Sequence, residues 1–361
     1  MTRVLPREAA MYLGLQFGHY LVKDFINNGG FGMVFEAEDT RNARVVAIKI
    51  LKLNPDRGTL AEFDNEDELL FKLRGSSNVI ARIDAGTGKI PLTQTPSFMP
   101  IELDVHYIVM ELAQACLEDL LAYRDILGWQ ERIRLFRGLV KGMHQMHLKE
   151  VVHRDLKAGN CLVVWQGRGH TETKVSDLGR SRDLKNPPKH HALEYLAGRG
   201  DLRFAPPELL WMQGFDNPRV WMQADLYGLG SVLFELATGQ GITGVALGSG
   251  PDHCHRISKM PPNLRRAHFE SQIGDMRGRY ELAFDMFKAE LPKSIANQMT
   301  ELVRQLCDPD PSKRVPRVIA KSQTERPGLQ WLLRRVDILA RMLRNAEAQE
   351  EKNRRRKESK P

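Results

Sequence analysis

The sequence predicts an α+β fold in two lobes, a small β-rich amino-terminal lobe with one key helix and a larger, mainly α carboxy-terminal lobe. The 361 residues are too many for one small core. Short β-branched runs separated by glycine turns come first, and long amphipathic or apolar stretches follow. We expect an amino-terminal extension over residues 1–18, a first lobe over 19–110, a second lobe over 111–320, and an amphipathic helix with a basic tail over 321–361.

Composition favours a globular protein, with 42% hydrophobic residues. The chain has no apolar run long enough to span a membrane and no apolar signal core at its start, so we expect a soluble, cytoplasmic protein without a transmembrane segment. The four cysteines lack paired spacing, which argues against a disulfide framework and a zinc ribbon. The triplet His253-Cys254-His255 is interpreted as chance histidines in a loop. The net charge of +8 weakly favours acidic partners.

A glycine-rich turn lies between the first two predicted strands, which cover residues 20–26 and 33–37. The turn contains Gly29, Gly30 and Gly32. Because glycine has no Cβ, the backbone amides of such a hairpin can close over phosphate oxygens. Taken alone, the turn is more typical of a plain hairpin.

A lysine closes the next predicted strand, the β-branched run over residues 45–49. Burying Lys49 is costly unless a carboxylate and a phosphate take its charge. In the helix predicted over residues 63–73, Glu66 lies on the same side as the apolar residues. We therefore expect Glu66 to pair with Lys49, and its acidic neighbours to form a solvated face.

The first lobe is completed by two predicted strands over residues 79–83 and 107–110. The stretch from Thr87 to Pro100 is predicted to be an exposed insertion, since it is long and rich in Pro, Thr and Gly. Residues 111–113 then form the crossing to the second lobe, which begins with a predicted short helix over 117–123 and a long one over 130–148.

The polar stretch His153–Asn160 contains three residues suited to phosphoryl transfer. A carboxylate such as Asp155 orients an attacking hydroxyl and accepts its proton. Lys157 provides positive charge for the transferred group, and the Asn160 side chain offers an oxygen ligand for Mg²⁺. A surface loop of polar residues is the alternative.

A predicted hairpin follows and ends in Asp177-Leu178-Gly179. A strand, a turn and a second strand return the chain close to Asn160. Asp177 therefore supplies a second hard oxygen ligand for Mg²⁺, and Gly179 allows the chain to turn away.

Read in order, these motifs resemble those of the eukaryotic-type protein kinase family over roughly residues 20–315. The ordered set comprises the glycine turn, Val46-Ala47-Ile48-Lys49, Glu66, His153–Asn160, Asp177-Leu178-Gly179, Pro206-Pro207-Glu208, Asp225 and Arg314. A single motif of this kind is weak evidence, because it can arise by chance, whereas the whole set in this order is specific. The resemblance implies a bilobal protein kinase-like fold.

The resemblance also implies how ATP and Mg²⁺ are bound. Lys49, paired to Glu66, would hold the α- and β-phosphates. The other implied ATP-binding residues are Gly29, Gly30 and Gly32 in the phosphate lid, Val34, Ala47 and Leu162 around adenine, and Met110, Glu111 and Ala113 at its edge. The implied metal ligands are Asn160 and Asp177.

The implied catalytic residues are Asp155, Lys157, Lys49 and Glu66. Asp155 would be the base, and Lys157 would steady the γ-phosphate. Asp225 would brace the catalytic loop, and Glu208 would pair with Arg314 inside the large lobe.

The expected function is ATP- and Mg²⁺-dependent phosphorylation of serine or threonine in protein substrates, because Lys157 two residues after Asp155 is the Ser/Thr form. The alternative is a pseudokinase-like, ATP-binding signalling scaffold. A small-molecule kinase is disfavoured by Pro206-Pro207-Glu208, which shapes a peptide-docking surface.

Two departures from the family pattern concern regulation and substrate choice. Asp201 replaces the usual threonine, where it can bond Lys157, repel Asp155 or favour a basic substrate residue. The activation segment over residues 180–204 has only Ser181 and Tyr195 as hydroxyl residues. We therefore hypothesise that activity does not need phosphorylation of this segment, with Glu194 or Asp201 as the fixed charge.

The chain after Pro327 has an apolar stripe with a period near 3.5 residues. Such a helix either packs back on the large lobe or dimerises, and packing back is favoured because the heptads are few. The oligomeric state stays open. Residues 352–357 are expected to be a disordered basic tail. The alternatives for it are a nuclear address, contact with nucleic acid or an anionic membrane, and simple solvation, which is the commonest explanation. The glycine-rich stretch 239–262 is expected to be a loop.

Overall fold

The computed structural model describes residues 5–91, 102–165, 167, 171–186, 201–213, 217–248, 251–316 and 328–358. The chain divides into two compact units. The first contains Met1–Gln114 and Ser176–Ser181, and the second contains Ala115–Val175 and Arg182–Pro361. Strands predominate in the first unit and helices in the second, so the predicted α+β fold class is confirmed.

A six-stranded antiparallel sheet forms most of the first unit. Its strands are β1 (Gln16–Phe17), β2 (Tyr20–Asn28), β3 (Gly32–Asp39), β4 (Arg44–Leu51), β5 (Arg82–Pro91) and β6 (Glu102–Glu111). They are arranged in the order β1-β2-β3-β4-β6-β5. Strand β1 also contacts β5, where Gly88 leaves room for the ring of Phe17. The two edges of the sheet therefore approach each other.

Two helices accompany this sheet, α1 (Arg7–Ala10) and α2 (Arg57–Lys72). Helix α2 begins earlier than predicted because Asp56 caps it, accepting a hydrogen bond of 2.6 Å from the Thr59 backbone N–H. The amino-terminal extension packs on the sheet, with the Tyr12 ring 5.3 Å from that of Phe35.

The second unit is built mainly from helices around the apolar helix α6. Its helices are α3 (Leu117–Leu121), α4 (Trp129–Leu148), α5 (Pro207–Leu210), α6 (Pro218–Thr238), α7 (Ile242–Leu247), α8 (Pro251–Lys259), α9 (Pro262–Ala289), α10 (Ala296–Leu306) and α11 (Gln330–Glu358). All residues from Ala224 to Thr238 are buried, so α6 lies in the core of this unit. It contacts α4, α9 and α10.

Short strands and turns carry the polar loops of this unit. The strands are β7 (Ala115–Cys116), β8 (Val151–Val152), β9 (Cys161–Trp165), β10 (Thr171–Val175) and β11 (Arg182–Asp183). Strands β9 and β10 form the predicted hairpin, and β8 pairs with β11. The predicted ion pair is also present, with Arg314 Nη1 and Nη2 2.6 and 2.7 Å from the carboxylate oxygens of Glu208.

Two loop predictions were wrong. The stretch expected as a loop over 239–262 contains α7 and α8 and the start of α9. The insertion expected from Thr87 begins later, because β5 continues to Pro91 in register with β6. The rest of that insertion, over 92–100, lies outside the described residues.

The carboxy-terminal helix α11 packs on α4, as favoured from the sequence. Arg137 Nε lies 2.6 Å from Asp337 Oδ1, and the Leu329 N–H donates to His144 Nδ1 at 2.9 Å. The prediction that residues 352–357 are disordered was wrong, because α11 continues to Glu358. Glu351 pairs with arginines one turn later in the helix, which supports this last part of α11.

No helix within the described ranges is long and apolar enough to cross a membrane. The four cysteines are free thiols. His253 and its neighbours lie in α8, and the described side chains include no group of three or more His, Cys, Asp or Glu that could hold a metal ion.

Candidate active site

Lys49 and Glu66 form a buried ion pair in the first unit. Lys49 Nζ lies 2.5 Å from Glu66 Oε2 and 3.3 Å from Asp177 Oδ1. Burial lowers the pKa of Lys49, but the charges of Glu66 and Asp177 outweigh this effect and hold the pKa above its usual range. Lys49 is therefore a permanent cation. The pairing predicted from the sequence is present, and the binding of phosphates stays a prediction.

An apolar surface adjoins Lys49 on the same face of the sheet. Val34 is directly opposite Lys49 in the pairing of β3 with β4, and Ala47 is directly opposite Met110 in the pairing of β4 with β6. Directly paired residues share a face in an antiparallel sheet, as do residues two apart in a strand. These four residues therefore combine a flat apolar surface with one cation.

The glycine turn joins β2 to β3 in a tight conformation. The Gly29 N–H donates to the Gly32 carbonyl oxygen at 2.9 Å. A Cβ on Gly32 would lie 2.7 Å from the backbone oxygen of Ile50, so this position requires glycine. Gly30 is exposed, and a Cβ there would meet nothing within 4 Å.

Phe31, between these glycines, is a feature that the sequence did not reveal. Its side chain is buried, and its ring centroid lies 5.5 Å from Lys49 Nζ. A Cβ on Gly179 would lie 2.7 Å from the Phe31 ring, so the two residues pack closely. Position 179 must therefore be glycine if the Phe31 ring is to lie beside Lys49.

Glu111 and Ala113 follow the last strand of the sheet. Glu111 ends β6, and its backbone N–H and carboxylate bond to the backbone of Ala81, at 3.0 and 2.7 Å. Ala113 is half-buried and lies just beyond the strand. Their predicted contacts with adenine stay predictions.

Asn65, next to Glu66 in α2, holds the segment that contains Asp177. Its Nδ2 donates to the carbonyl oxygens of Gly179 and Ser181, at 3.0 and 2.8 Å. No local pattern points to this role, because the bonded residues are more than one hundred positions apart in the chain. The segment of Asp177 is thus fixed to the helix that carries Glu66.

In the second unit, Asp225 braces the predicted catalytic loop, as expected. Its carboxylate accepts hydrogen bonds from the backbone N–H groups of His153 and Arg154, both at 2.9 Å, and lies 2.8 Å from His147 Nε2. Asp225 is buried. The bonds fix the backbone immediately before Asp155.

Asp155, Lys157 and Asn160 occupy a turn closed by side-chain hydrogen bonds. Asn160 Nδ2 donates to the backbone carbonyl of Asp155 at 2.7 Å. Asn160 is buried, whereas Asp155 and Lys157 are half-buried. Leu162 follows in β9, half-buried and paired with Cys116 and Lys174.

Comparison with known proteins decides the family. The model of the protein kinase domain matches residues 20–324. This chain belongs to the protein kinase family. The kinase is 26% identical over 285 residues to the serine/threonine-protein kinase PrkC of Bacillus subtilis, a match of 74% of this chain and 39% of PrkC.

Other relatives extend across bacteria and eukaryotes. The kinase is 30% identical over 219 residues to a probable cell division protein kinase of Encephalitozoon cuniculi, covering 61% of this chain and 71% of the relative. It is 29% identical over 234 residues to the probable serine/threonine-protein kinase PknB of Bifidobacterium longum, covering 64% of this chain and 32% of PknB. The match thus spans well under half of the two bacterial relatives' length.

Glu235 is a buried acid of the kinase that sequence reasoning missed. Its Oε2 accepts the Ala158 N–H at 3.0 Å, within the turn that contains Lys157 and Asn160. Burial raises the pKa of Glu235 to about 7, although the Ala158 N–H opposes the shift. In the sequence, the burial of Glu235 is indicated only by its position within the apolar stretch that forms α6.

Asp201 is bonded to Arg203 in this kinase. Arg203 Nη2 lies 2.5 Å from Asp201 Oδ2, and Nε lies 2.9 Å from Oδ1. These bonds lower the pKa of Asp201, and the charge of Lys157 contributes. Lys157 therefore acts on Asp201 through its charge, while Arg203 takes the hydrogen bonds. Glu194 and Tyr195 lie outside the described residues.

The expected Mg²⁺ ligands carry suitable donor atoms. Asp177 keeps 36% of its side chain exposed beside Lys49, and its backbone φ of +59° is unusual for a residue other than glycine. The Asn160 side chain carries an amide oxygen besides the nitrogen that donates to Asp155. Carboxylate and amide oxygens are ligands that Mg²⁺ accepts, so both residues fit the ion.

Proposed function

We propose that this chain is an ATP- and Mg²⁺-dependent kinase that transfers the γ-phosphate of ATP to serine or threonine hydroxyls of protein substrates. The observation that carries the proposal is the buried Lys49, 2.5 Å from Glu66 and 3.3 Å from Asp177. A permanent cation beside an apolar surface suits a nucleotide, whose phosphates need positive charge and whose base needs apolar contacts.

The proposed roles of the remaining residues follow from their chemistry. Asp155 orients the substrate hydroxyl and accepts its proton, and Lys157 places positive charge near the transferred phosphoryl group. Asn160 and Asp177 hold Mg²⁺, which when bound neutralises charge on the phosphates. Catalysis then depends mainly on positioning and on charge stabilisation.

The choice of serine or threonine as acceptor rests on two supports. Lys157 stands two residues after Asp155, as in the Ser/Thr form of the family. PrkC and PknB, to which the chain is similar, are named as serine/threonine kinases. A kinase also needs a compartment rich in ATP, and we therefore propose that it acts in the cytoplasm.

Transfer of labelled γ-phosphate from ATP with Mg²⁺ tests this function. Asp155→Asn should lower the transfer rate by about 10²- to 10⁴-fold, the usual contribution of a positioned base. Asp125→Asn is the matched control, because the Asp125 side chain is 96% exposed. Phosphoamino-acid analysis then identifies the acceptor.

Label on serine or threonine that requires both Asp155 and Mg²⁺ would support the proposal. Label on tyrosine would overturn the acceptor class. If ATP binds and the wild type transfers no more phosphate than Asp155→Asn does, the enzyme assignment fails and the chain acts as an ATP-binding scaffold.

A further inference from the structure

A cavity of about 640 Å³ lies in the second unit, where α7, α8 and α9 meet the residue that follows α5. None of its lining residues belongs to the proposed ATP, Mg²⁺ or catalytic set. Its apolar lining consists of Trp211, Leu247, Ile257, Met260 and Met276. Binding pockets are typically about 300–1,000 Å³, so its size is that of a ligand site, and its lining combines these apolar side chains with polar and charged ones.

The aromatic wall of the cavity is held in place by internal contacts. The Trp211 Nε1–H donates to His268 Nδ1 at 2.8 Å, and the His253 ring centroid lies 4.2 Å from that of Trp211. Burial lowers the pKa of His253, and the charges of Arg256 and His268 add to this. The His253 ring therefore favours its neutral form, and these contacts form the wall before any ligand arrives.

Positive charge in the cavity comes from Arg256 on α8 and Arg279 on α9. Both side chains are exposed, and neither has an ion-pair partner within the described part of the chain. The neighbouring Arg265 is already used, since its guanidinium donates to the backbone oxygens of Met260 and Ser258. Two uncompensated guanidinium groups beside an apolar wall favour an anionic ligand.

One acid, Asp275, also lines the cavity. It stands on α9 one turn before Arg279, outside ion-pair distance of that arginine. Its charge opposes an anionic ligand, and the lining still carries a net positive charge from the two arginines. Removal of the Asp275 charge should therefore strengthen binding, which gives the test a variant with a gain of affinity.

We propose that this cavity is a docking site for an acidic segment of the protein substrate. An apolar side chain of that segment contacts Trp211, Ile257 and Met276, and flanking carboxylates bind Arg256 and Arg279. The two arginines come from different helices, which suits a chain that carries carboxylates on both sides of its apolar anchor. The substrate role of the docked protein rests on the proposed function, whereas the binding itself does not.

Fluorescence anisotropy tests the binding without catalysis. The probes are fluorescein-labelled peptides Glu-Glu-Phe-Glu-Glu, Glu-Glu-Ala-Glu-Glu and Lys-Lys-Phe-Lys-Lys, at fixed physiological ionic strength. We expect saturable binding of the first peptide only. Combined Arg256→Glu and Arg279→Glu should weaken it at least tenfold, and Asp275→Asn should tighten it. Arg266→Glu is the matched control, because Arg266 is an exposed arginine of α9 outside the lining and pairs with Glu270.

Three results would overturn the site: equal binding by wild type and the double variant, equal binding of the phenylalanine and alanine peptides, or an equal loss in Arg266→Glu. A second readout concerns phosphate transfer to a serine peptide that carries the acidic segment. In the double variant, the KM for this peptide should be at least tenfold higher than in the wild type, and kcat should be unchanged. If the wild type transfers no phosphate while the binding pattern holds, the kinase proposal fails and the docking site stands.

Discussion

At the scale of single residues, Glu235 couples protonation to stability. Its carboxyl group is buried and bonded to the turn of the catalytic loop, and burial raises its pKa to about 7 from the ordinary value of 4.5. Between these two values the folded state keeps a proton that the unfolded chain has lost. The free energy of unfolding therefore falls as pH rises from about 4.5 to about 7 through this group.

The substitution Glu235→Gln should remove this contribution, since glutamine does not titrate and still accepts the Ala158 N–H. The difference in unfolding free energy between variant and wild type should increase with pH across that window, by on the order of 3 kcal/mol, and then stay constant. Urea unfolding at pH 5, 6, 7 and 8 measures it. Glu350→Gln, at an exposed position, is the control. A pH-independent difference for Glu235→Gln would contradict the assignment.

Two charged residues in apolar patterns, Lys49 and Glu66, were found from the sequence, whereas Glu235 inside the apolar helix α6 was missed. Lys49 ends an apolar run and Glu66 lies on an apolar stripe, so both side chains were expected to be buried. A buried lysine needs a carboxylate partner, and this predicted the ion pair. Phe31 and Asn65 escaped prediction for a physical reason. Their functions depend on contacts with Gly179 and Ser181, far along the chain, and no local periodicity records such contacts.

At the scale of elements, glycine and proline explain why the helices of 239–262 were missed. Gly239 and Gly248 have φ of +73° and +56° and end α6 and α7, while Pro251 and Pro262 are the first residues of α8 and α9. Glycine after a helix and proline at its first position are caps. Residues that normally indicate a loop here separate successive helices.

Helix α11 should contribute to the stability of the second unit, because its apolar face packs on α4. Leu332 is fully buried, and Leu332→Ala should lower the free energy of unfolding by about 2–5 kcal/mol. Ile338 on the same helix is 53% exposed and gives the matched control Ile338→Ala. Chemical denaturation followed by circular dichroism measures both. Equal, small losses would show that α11 is not part of this core.

At the scale of the whole molecule, the compact units do not follow the order of the chain. The segment Ser176–Ser181 belongs to the first unit, although β10 before it and β11 after it belong to the second. Asn65 and Phe31 hold this segment, so Asp177 is positioned together with Lys49. The sequence order alone did not indicate this division, because it arises from contacts across long separations.

This arrangement bears on activation. Ser181 is only 3% exposed, its N–H donates to the Leu178 carbonyl, and its own carbonyl accepts from Asn65. Arg154, which precedes Asp155, has its guanidinium carbon 4.4 Å from the centroid of the Trp221 ring. A phosphate on Ser181 would bring about two negative charges into a buried position. We therefore expect the kinase to work without it.

Phosphatase-treated kinase should keep its rate of phosphate transfer within about twofold, since no phosphate-dependent contact is needed. The variant Ser181→Ala should do the same, as should Tyr195→Phe, whereas Ser181→Asp should lower the rate at least about tenfold because it buries an unpaired charge. Transfer of labelled phosphate to a serine peptide, with mass spectrometry of the treated protein, measures this. If activity disappears after phosphatase treatment and returns when Ser181 or Tyr195 is phosphorylated, the prediction that activity does not need phosphorylation of this segment is wrong.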